Sequence, residues 1–439
     1  MSTSAKHRGT PPGNRRASPG PAGRRARGGS RRLRTVAIVV GAALAAVLAA
    51  VAGFVLVIRA ATASSPGRPP AKAGAPAAGS GAGGAVKAHR PPGSPAGLPK
   101  LSPAQLAGQR VIYSYPGLTP PPSLLRWIGK GEVGGVIFFA QNISSEAQIA
   151  SVIAELNHAN ASPQNPLRKD PLLLMTDQEG GEVRRLPGEP VLSEKQIGES
   201  ARPAAEARAA GTGAGKNLAG VGMNVNLAPV VDVYRSPGDF DDQFQRSYSM
   251  DPHVVSRLGA DFVKAQQAAG VAATVKHFPG LGAATATQNT DERPVTLNVP
   301  ANQLRTVDEY PYRAAIAAGV KLVMVSWAIY PALDPKLPAG LSPAIVGGEL
   351  RQRLGFTGVT ITDALEAGAL RPFGTIRDRA RMAAQAGMDL ILCSGQNASE
   401  GAQARSELER VYNAGGATAQ AAFQAAVQRI LALKTSPGG

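Results

Sequence analysis

Residues 272–278 read AATVKHF: four uncharged residues, then Lys276, His277 and Phe278. The run is too short for a globular helix and is bounded by Gly270 and Pro279-Gly280. Its continuous apolar character suits a parallel strand buried on both faces. An unpaired ammonium is costly to bury. Lys276 is therefore expected to project from the strand end into a polar mouth. His277 can be read two ways, as a satisfied core histidine or as a group facing a ligand.

The same kind of run recurs along the chain. VIYSY (111–115), GGVIFF (134–139), LLLMTD (172–177), MNVNLAPV (223–230), LVMVSW (322–327), GVTITD (358–363) and LILCSG (390–395) bring the count to eight. Amphipathic segments lie between them, among them 145–160, 256–270 and 377–387. Eight strand–helix units in about 340 residues predict an α/β fold, a (β/α)8 barrel. An open doubly wound sheet is the alternative. A barrel gathers its chemistry where strands end and βα loops begin. The polar residues there are Asp177, Asp232, Lys276 with His277, and Asp363.

The formal charge of +17 belongs to the leader. Residues 1–100 hold 16 Lys/Arg and no Asp or Glu, and the remaining 339 residues carry 31 basic and 30 acidic groups. Without a basic domain face, a nucleic-acid partner loses its support. Residues 1–34 form a basic tail expected in the cytoplasm. Residues 35–58 are 24 residues without a charge, enough to span a membrane, where roughly 20 suffice. The alternative is a signal peptide cleaved near Ala61-Thr62-Ala63. Both readings export the domain. Residues 59–98, rich in Ala, Pro and Gly, read as a disordered tether, and 99–437 as the barrel domain. Cys393 is the only cysteine, so no intramolecular disulfide can form.

DQEGGEVRRLPG (177–188) places Asp177 at a strand end, followed by Gly180-Gly181. A tight turn there brings Asp177 and Arg185 into one pocket, suited to sugar hydroxyls and an amide. A purely structural Asp–Arg pair is the bland alternative. Arg246, in FQRSYSMDP (244–252), is either a second sugar clamp or a surface arginine. Asp363 ends the seventh strand, where a carboxylate can act as a nucleophile on an anomeric carbon. Glu366 is expected on the following helix as a capping or solvated group. His158, His253 and His277 show no metal-ligand spacing, and no phosphate-cradling loop is present, so no metal or cofactor is expected.

Taken together, GGVIFFAQNI, DQEGGEVRRL, NVNLAPVVDV, RSYSMDP, KHFPGLG, TITDALEAGAL and RILALK resemble glycoside hydrolase family 3, in its single-domain β-N-acetylhexosaminidase branch, over roughly residues 100–436. The resemblance implies a barrel, no cofactor and a two-step retaining mechanism on an N-acetylglucosamine-containing carbohydrate. It implies that Asp363 is the nucleophile and that Asp177, Arg185, Arg246, Lys276 and His277 hold the terminal sugar. It also implies peptidoglycan fragments as substrate, and the leader's charge pattern puts the domain that would meet them outside the cell membrane.

Three positions depart from the family pattern. Leu281 replaces a histidine, and Thr287-Gln288-Asn289 stands where the family carries the Asp-Ser-His acid/base motif. Trp327 stands after strand six where a histidine is common, either stacking on a sugar or filling space. Asp291 is the candidate replacement acid/base, with Glu292 beside it, on a loop whose Ala, Thr and Gly content suggests mobility. The alternatives to an active hydrolase are a sugar-binding relative without catalysis and a phosphorylase or transglycosylase.

Overall fold

A computed structural model describes residues 98–436. The tail, the apolar segment 35–58 and most of the tether lie outside the described residues. Among the described residues, no helix is long and apolar enough to cross a membrane.

Eight parallel strands form one sheet: β1 (Val111–Tyr113), β2 (Gly135–Ile137), β3 (Leu173–Thr176), β4 (Val225–Asn226), β5 (Ala272–Phe278), β6 (Leu322–Val325), β7 (Val359–Thr362) and β8 (Ile391–Leu392). They pair in the order β7-β6-β5-β4-β3-β2-β1-β8. The two edges meet through a parallel bridge between Ile361 and Leu390. There Leu390 N–H donates to Thr360 O at 2.9 Å and Thr362 N–H to Leu390 O at 3.1 Å. Each of the eight apolar runs supplies one strand, and closure excludes the open sheet.

Alternation along the strands divides the core in two. Ile112, Ile137, Leu173, Met175, Val225, Leu227, Ala272, Leu322, Met324, Val359, Ile361 and Leu392 pack inside the barrel. Ile430 and Leu433, from the closing helix Ala417–Thr435, belong to the same cluster. The neighbours of opposite parity, such as Val111, Leu174, Ala273, Val275 and Val323, pack outward against the helices. Period two is what a strand imposes. The inward series continues one step past the apolar layer: Met175 to Asp177, Ile361 to Asp363, Ile137 to Phe139, Leu392 to Ser394. On β5 the inward positions are Ala272, Thr274 and Lys276. Polar groups thus replace apolar ones at the strand ends, on the inside.

The helices that follow β1 to β8 are α1 (Pro122–Gly129), α2 (Glu146–Asn160), α3 (Pro203–Val221), α4 (Pro252–Ala268), α5 (Tyr310–Ala317), α6 (Ala344–Arg353, π-helical), α7 (Ile376–Ala386) and α8 (Ala398–Ala414). Their ends carry local signals. Ser145 accepts the Gln148 N–H ahead of α2. Thr375 and Asp378 form a reciprocal cap on α7, which ends at the left-handed Gly387.

Helices α3 and α4 pack through small residues. A Cβ at Gly211 would collide with the Phe262 carbonyl, and one at Gly215 would sit 2.6 Å from the Ala269 methyl. These two glycines, one turn apart, let the helices approach. Gly220, near the end of the same helix, faces open space. Gly211→Val is expected to destabilise the domain by about 1–3 kcal/mol through overpacking. Gly220→Ala should stabilise it by roughly 0.5–1 kcal/mol. Denaturant unfolding of the two variants measures both.

Candidate active site

A cavity of about 370 Å³ opens at the carboxyl ends of the strands. Asp177, Arg185, Arg246, Lys276, His277, Asp291 and Asp363 all line it. Its floor is the last apolar layer, Ile137, Leu227, Met324 and Leu392.

Asp177 follows β3 and opens a hairpin of Gln178–Gly180 with Val183–Arg184. Gly180 and Gly181 turn it with φ of 117° and 54°, conformations open to glycine and strained for other residues. A Cβ on Gly181 would also lie 2.6 Å from Ser193 Cβ. The turn returns Arg185 beside Asp177, whose carbonyl accepts the Arg185 N–H at 3.2 Å. The side chains of the two do not form the structural pair. Asp177 is bound by Lys276, with Nζ 2.7 Å from Oδ1. Arg185 Nε has no hydrogen-bond partner among the described residues, although it is buried.

The centre of the charge network is Glu179, which sequence reasoning missed. Its carboxylate takes a two-pronged bond from Arg246 (Nε–Oε2 and Nη2–Oε1, each 2.9 Å) and a contact from Lys276 Nζ at 2.6 Å. Burial works against its charge, but Arg246 and Lys276 outweigh burial and hold its pKa down at about 2. Burial also opposes the charge on Lys276, yet Asp177 and Glu179 hold its pKa above the ordinary lysine value. Lys276 is only 2% exposed, so pairing is what lets an ammonium sit there. Arg246 is thus tied to a carboxylate and is not a free surface arginine.

His277 is both a satisfied histidine and a cavity residue. Its Nδ1 lies 2.7 Å from Asp232 Oδ2. Burial disfavours the imidazolium, but Asp232 prevails and raises the pKa. Asp232 Oδ1 also accepts the Leu281 N–H at 2.6 Å, which joins β5 to the loop beyond it. Leu281, standing where the family has a histidine, is part of the cavity wall. Asp241 completes this cluster. Ligating atoms of Asp232, Asp241 and His277 lie within 4.8 Å of one another, the only such grouping found among the described residues. Asp232 is already engaged with His277 Nδ1 and with the backbone N–H groups of His277 and Leu281. The Asp241 carboxylate has no hydrogen-bond partner among the described residues, and burial, then the charge of Asp232, push its pKa up to about 7. Its nearest cation is Arg246, at 3.9 Å. The cluster reads as a support for His277.

Across the mouth, Asp363 stands at the end of β7, its Oδ1 accepting the Ala364 N–H at 2.7 Å. Asp291 faces the same cavity. Burial of its carboxyl, then the charge of Asp363, push its pKa up to about 6, even though the residue keeps an exposed edge at the mouth. Glu292 turns outward and pairs with Arg293 at 2.9 Å. The loop expected to be mobile is tied down on both sides of Asp291. Gly368 N–H donates to Asp291 O at 2.7 Å, and Ala369 N–H to Thr290 O at 2.9 Å. Asn289 Oδ1 accepts the Asp291 N–H at 2.9 Å. Gly368 is packed so tightly that a Cβ would strike the Glu292 carbonyl. Thr287-Gln288-Asn289 therefore belongs to a turn that holds Asp291.

Two further expectations change. Glu366 lies on a turn rather than a helix and lines the cavity, where its carboxylate accepts Ser394 Oγ–H at 2.6 Å and Ser394 N–H at 3.2 Å. Burial raises its pKa. Trp327 is buried behind the site and does not line the cavity. It packs on Gly340 and donates Nε1–H to Ala364 O at 2.8 Å, so it fills space and braces the residue next to Asp363. Glu179 follows Asp177 by two residues, so the inward parity was the available signal for it. Nothing local marks Glu366 or Asp241.

The profile described as Glycosyl hydrolase family 3 N terminal domain matches residues 115–433. An uncharacterized secreted glycosyl hydrolase of Arthroderma benhamiae is 45% identical over 329 residues, 75% of this chain and 92% of the relative. Beta-hexosaminidase A of Pseudoalteromonas piscicida is 34% identical over 291 residues, 62% of this chain, which spans only 48% of that relative's length. A glycoside hydrolase family 3 β-N-acetylglucosaminidase from Paenibacillus superposes with TM-score 0.71 at 36% identity, over 77% of this chain and 63% of the other. A β-N-acetylhexosaminidase from Beutenbergia cavernae does so with TM-score 0.70 at 32% identity, over 76% and 99%.

Removing the buried carboxylate that serves two cations, one of them fully buried, should be costly. Glu179→Gln is expected to lose roughly 3–5 kcal/mol of stability in urea unfolding, because Arg246 and Lys276 lose their shared counter-charge. A loss within the error of the measurement would show that the network is not integral to the fold.

Proposed function

The chain belongs to glycosyl hydrolase family 3 and is a glycoside hydrolase, and we propose that it is a retaining β-N-acetylhexosaminidase with Asp363 as nucleophile and Asp291 as acid/base. The observation that carries this reading is the pairing of those two carboxyls in one cavity, with the pKa of Asp291 raised to about 6 partly by the charge of Asp363. Two carboxyls whose environments separate their protonation states can divide acid and nucleophile roles between them.

In the first step a carboxylate oxygen of Asp363 attacks the anomeric carbon. The bond from that carbon to the leaving oxygen breaks, and Asp291 gives its proton to the departing oxygen. The product is a glycosyl ester on Asp363. In the second step the Asp291 carboxylate takes a proton from water, the hydroxide adds to the anomeric carbon, and the ester bond breaks. Asp177, Arg185, Arg246, Lys276 and His277 hold the terminal sugar. Arg185 lines the cavity and makes no ion pair among the described residues, so its guanidinium is the cation left for it. The rest are fixed in orientation by Glu179 and Asp232, so little is left to reorganise when the sugar arrives.

The natural substrates proposed are N-acetylglucosaminides of peptidoglycan fragments, met outside the cytoplasm by a domain that segment 35–58 exports and tethers. The relatives named β-hexosaminidase support the sugar, and the leader's charge pattern supports export.

Turnover of an aryl β-N-acetylglucosaminide with a good leaving group, and of one with a poor leaving group, tests the assignment. Asp363→Asn should abolish both. Asp291→Asn should slow the poor leaving group by about 10²–10⁴-fold and the activated one much less. Wild-type protein that binds N-acetylglucosamine yet turns over neither compound would sink the hydrolase reading in favour of a sugar-binding relative.

The pH profile gives an independent check. Asp291 must be protonated in the first step, so kcat/KM for the poor leaving group should fall about tenfold per pH unit above about pH 6. That limb should vanish in Asp291→Asn. A limb that persists there belongs to another group.

A further inference from the structure

The large apolar side chains that remain exposed among the described residues are Leu118, Val191, Leu192, Phe244 and Met250. All five lie on βα loops at the mouth of the barrel, after β1, β3 and β4, and none on the outer helices. Single exposed apolar residues are ordinary, but a set confined to the βα loops, on the face where the cavity opens, marks a contact surface.

Phe244 is the member tied to the chemistry. Its ring, 40% exposed at the residue level, packs edge-to-face on Phe240 with centroids 5.6 Å apart, and Phe240 lines the cavity. The segment 240–244 is fastened to the loop that carries Asp291. Phe240 N–H donates to Ala284 O at 2.9 Å, and Gln243 Nε2–H to Ala286 O at 3.0 Å. On its other side, Gln245 O accepts the Lys195 N–H at 3.2 Å, and Gln245 Oε1 accepts Ser193 Oγ–H at 3.0 Å. That joins it to the loop bearing Val191 and Leu192. A leaving group protonated by Asp291 must depart past Asp291. The aromatic surface fastened to that same loop is Phe244.

We propose that Phe244 is the platform on which the leaving-group sugar packs, making this the specificity-determining position for substrates whose departing group is itself a pyranose. The reading rests on Asp291 as the acid proposed above. A β-linked pyranose with equatorial substituents presents axial C–H groups on its faces, and an exposed phenyl ring offers them a flat apolar partner. The occupant is therefore a second pyranose rather than a small alkyl aglycone.

Two substrates separate the platform from the general machinery: a β-1,4-linked N-acetylglucosamine disaccharide, and N-acetylglucosaminyl fluoride, whose leaving group has no ring. In Phe244→Ala, the ratio of kcat/KM for the disaccharide to that for the fluoride should fall about tenfold, and Phe244→Trp should restore it. An unchanged ratio overturns the proposal. A binding measurement keeps it testable if the hydrolase reading fails. With Asp363→Asn as background, Phe244→Ala should weaken the disaccharide about tenfold by calorimetry relative to free N-acetylglucosamine. Equal weakening of both sugars, or of neither, also overturns it. Loss of all wild-type turnover with the disaccharide preference intact in binding would reject the hydrolase reading and keep the platform.

Discussion

Everything at this site depends on the two-residue period of eight closed strands. Closure turns one parity of every strand inward, and that series is apolar, apart from Thr274, until the polar layer at the strand ends. Its next member is Asp177 on β3, Lys276 on β5, Asp363 on β7 and Ser394 on β8, so the polar groups converge without any loop having to fold them in. The apolar layer beneath, with Ile430 and Leu433 packed into the same cluster, keeps water from reaching them from below. A slip of one residue in any strand would send its charged end outward among the helices.

Convergence creates a problem that the second layer of residues solves. Arg246 and Lys276 are cations in a buried place, and Glu179 serves both while Asp177 takes the remaining prong. Asp232 does the same for His277 and, through Leu281, for the loop beyond β5. Pairing of this kind contributes little to stability compared with an apolar core of equal volume. What it supplies is orientation: the donors that line the cavity are already aimed, and their charges are not free to wander. Among the described residues, the unpartnered Arg185 Nε and the carboxyls of Asp241 and Asp291 are the exceptions. Arg185 and Asp291 line the cavity, where a substrate would meet them.

The loop after β5 shows how residues that depart from a family pattern can frame a carboxyl. Thr287, Gln288 and Asn289 cannot move protons near neutral pH, but Asn289 accepts the Asp291 N–H, and the main chain at Thr290 and Asp291 is stitched to Gly368 and Ala369. The residues that replaced the expected motif became the frame for a carboxyl four positions along. Glycine at 368 is part of that frame, since any side chain there would push the loop away from Asp363.

How much of this was legible follows from the range of the interactions involved. Strand positions, inward parity and the end of the barrel that carries the chemistry are local properties, written in burial and period, and the sequence by itself determined them. So Asp177, Lys276, His277 and Asp363 could be placed at strand ends before any contact was known. Partnership was decided only by the tertiary structure. That Glu179 rather than Arg185 engages this network, that Asp291 faces inward while Glu292 faces out, and that Glu366 reaches the cavity all depend on residues tens to a hundred positions apart. Charge pairing in a buried site is set by three-dimensional distance, and one-dimensional spacing carries no record of it.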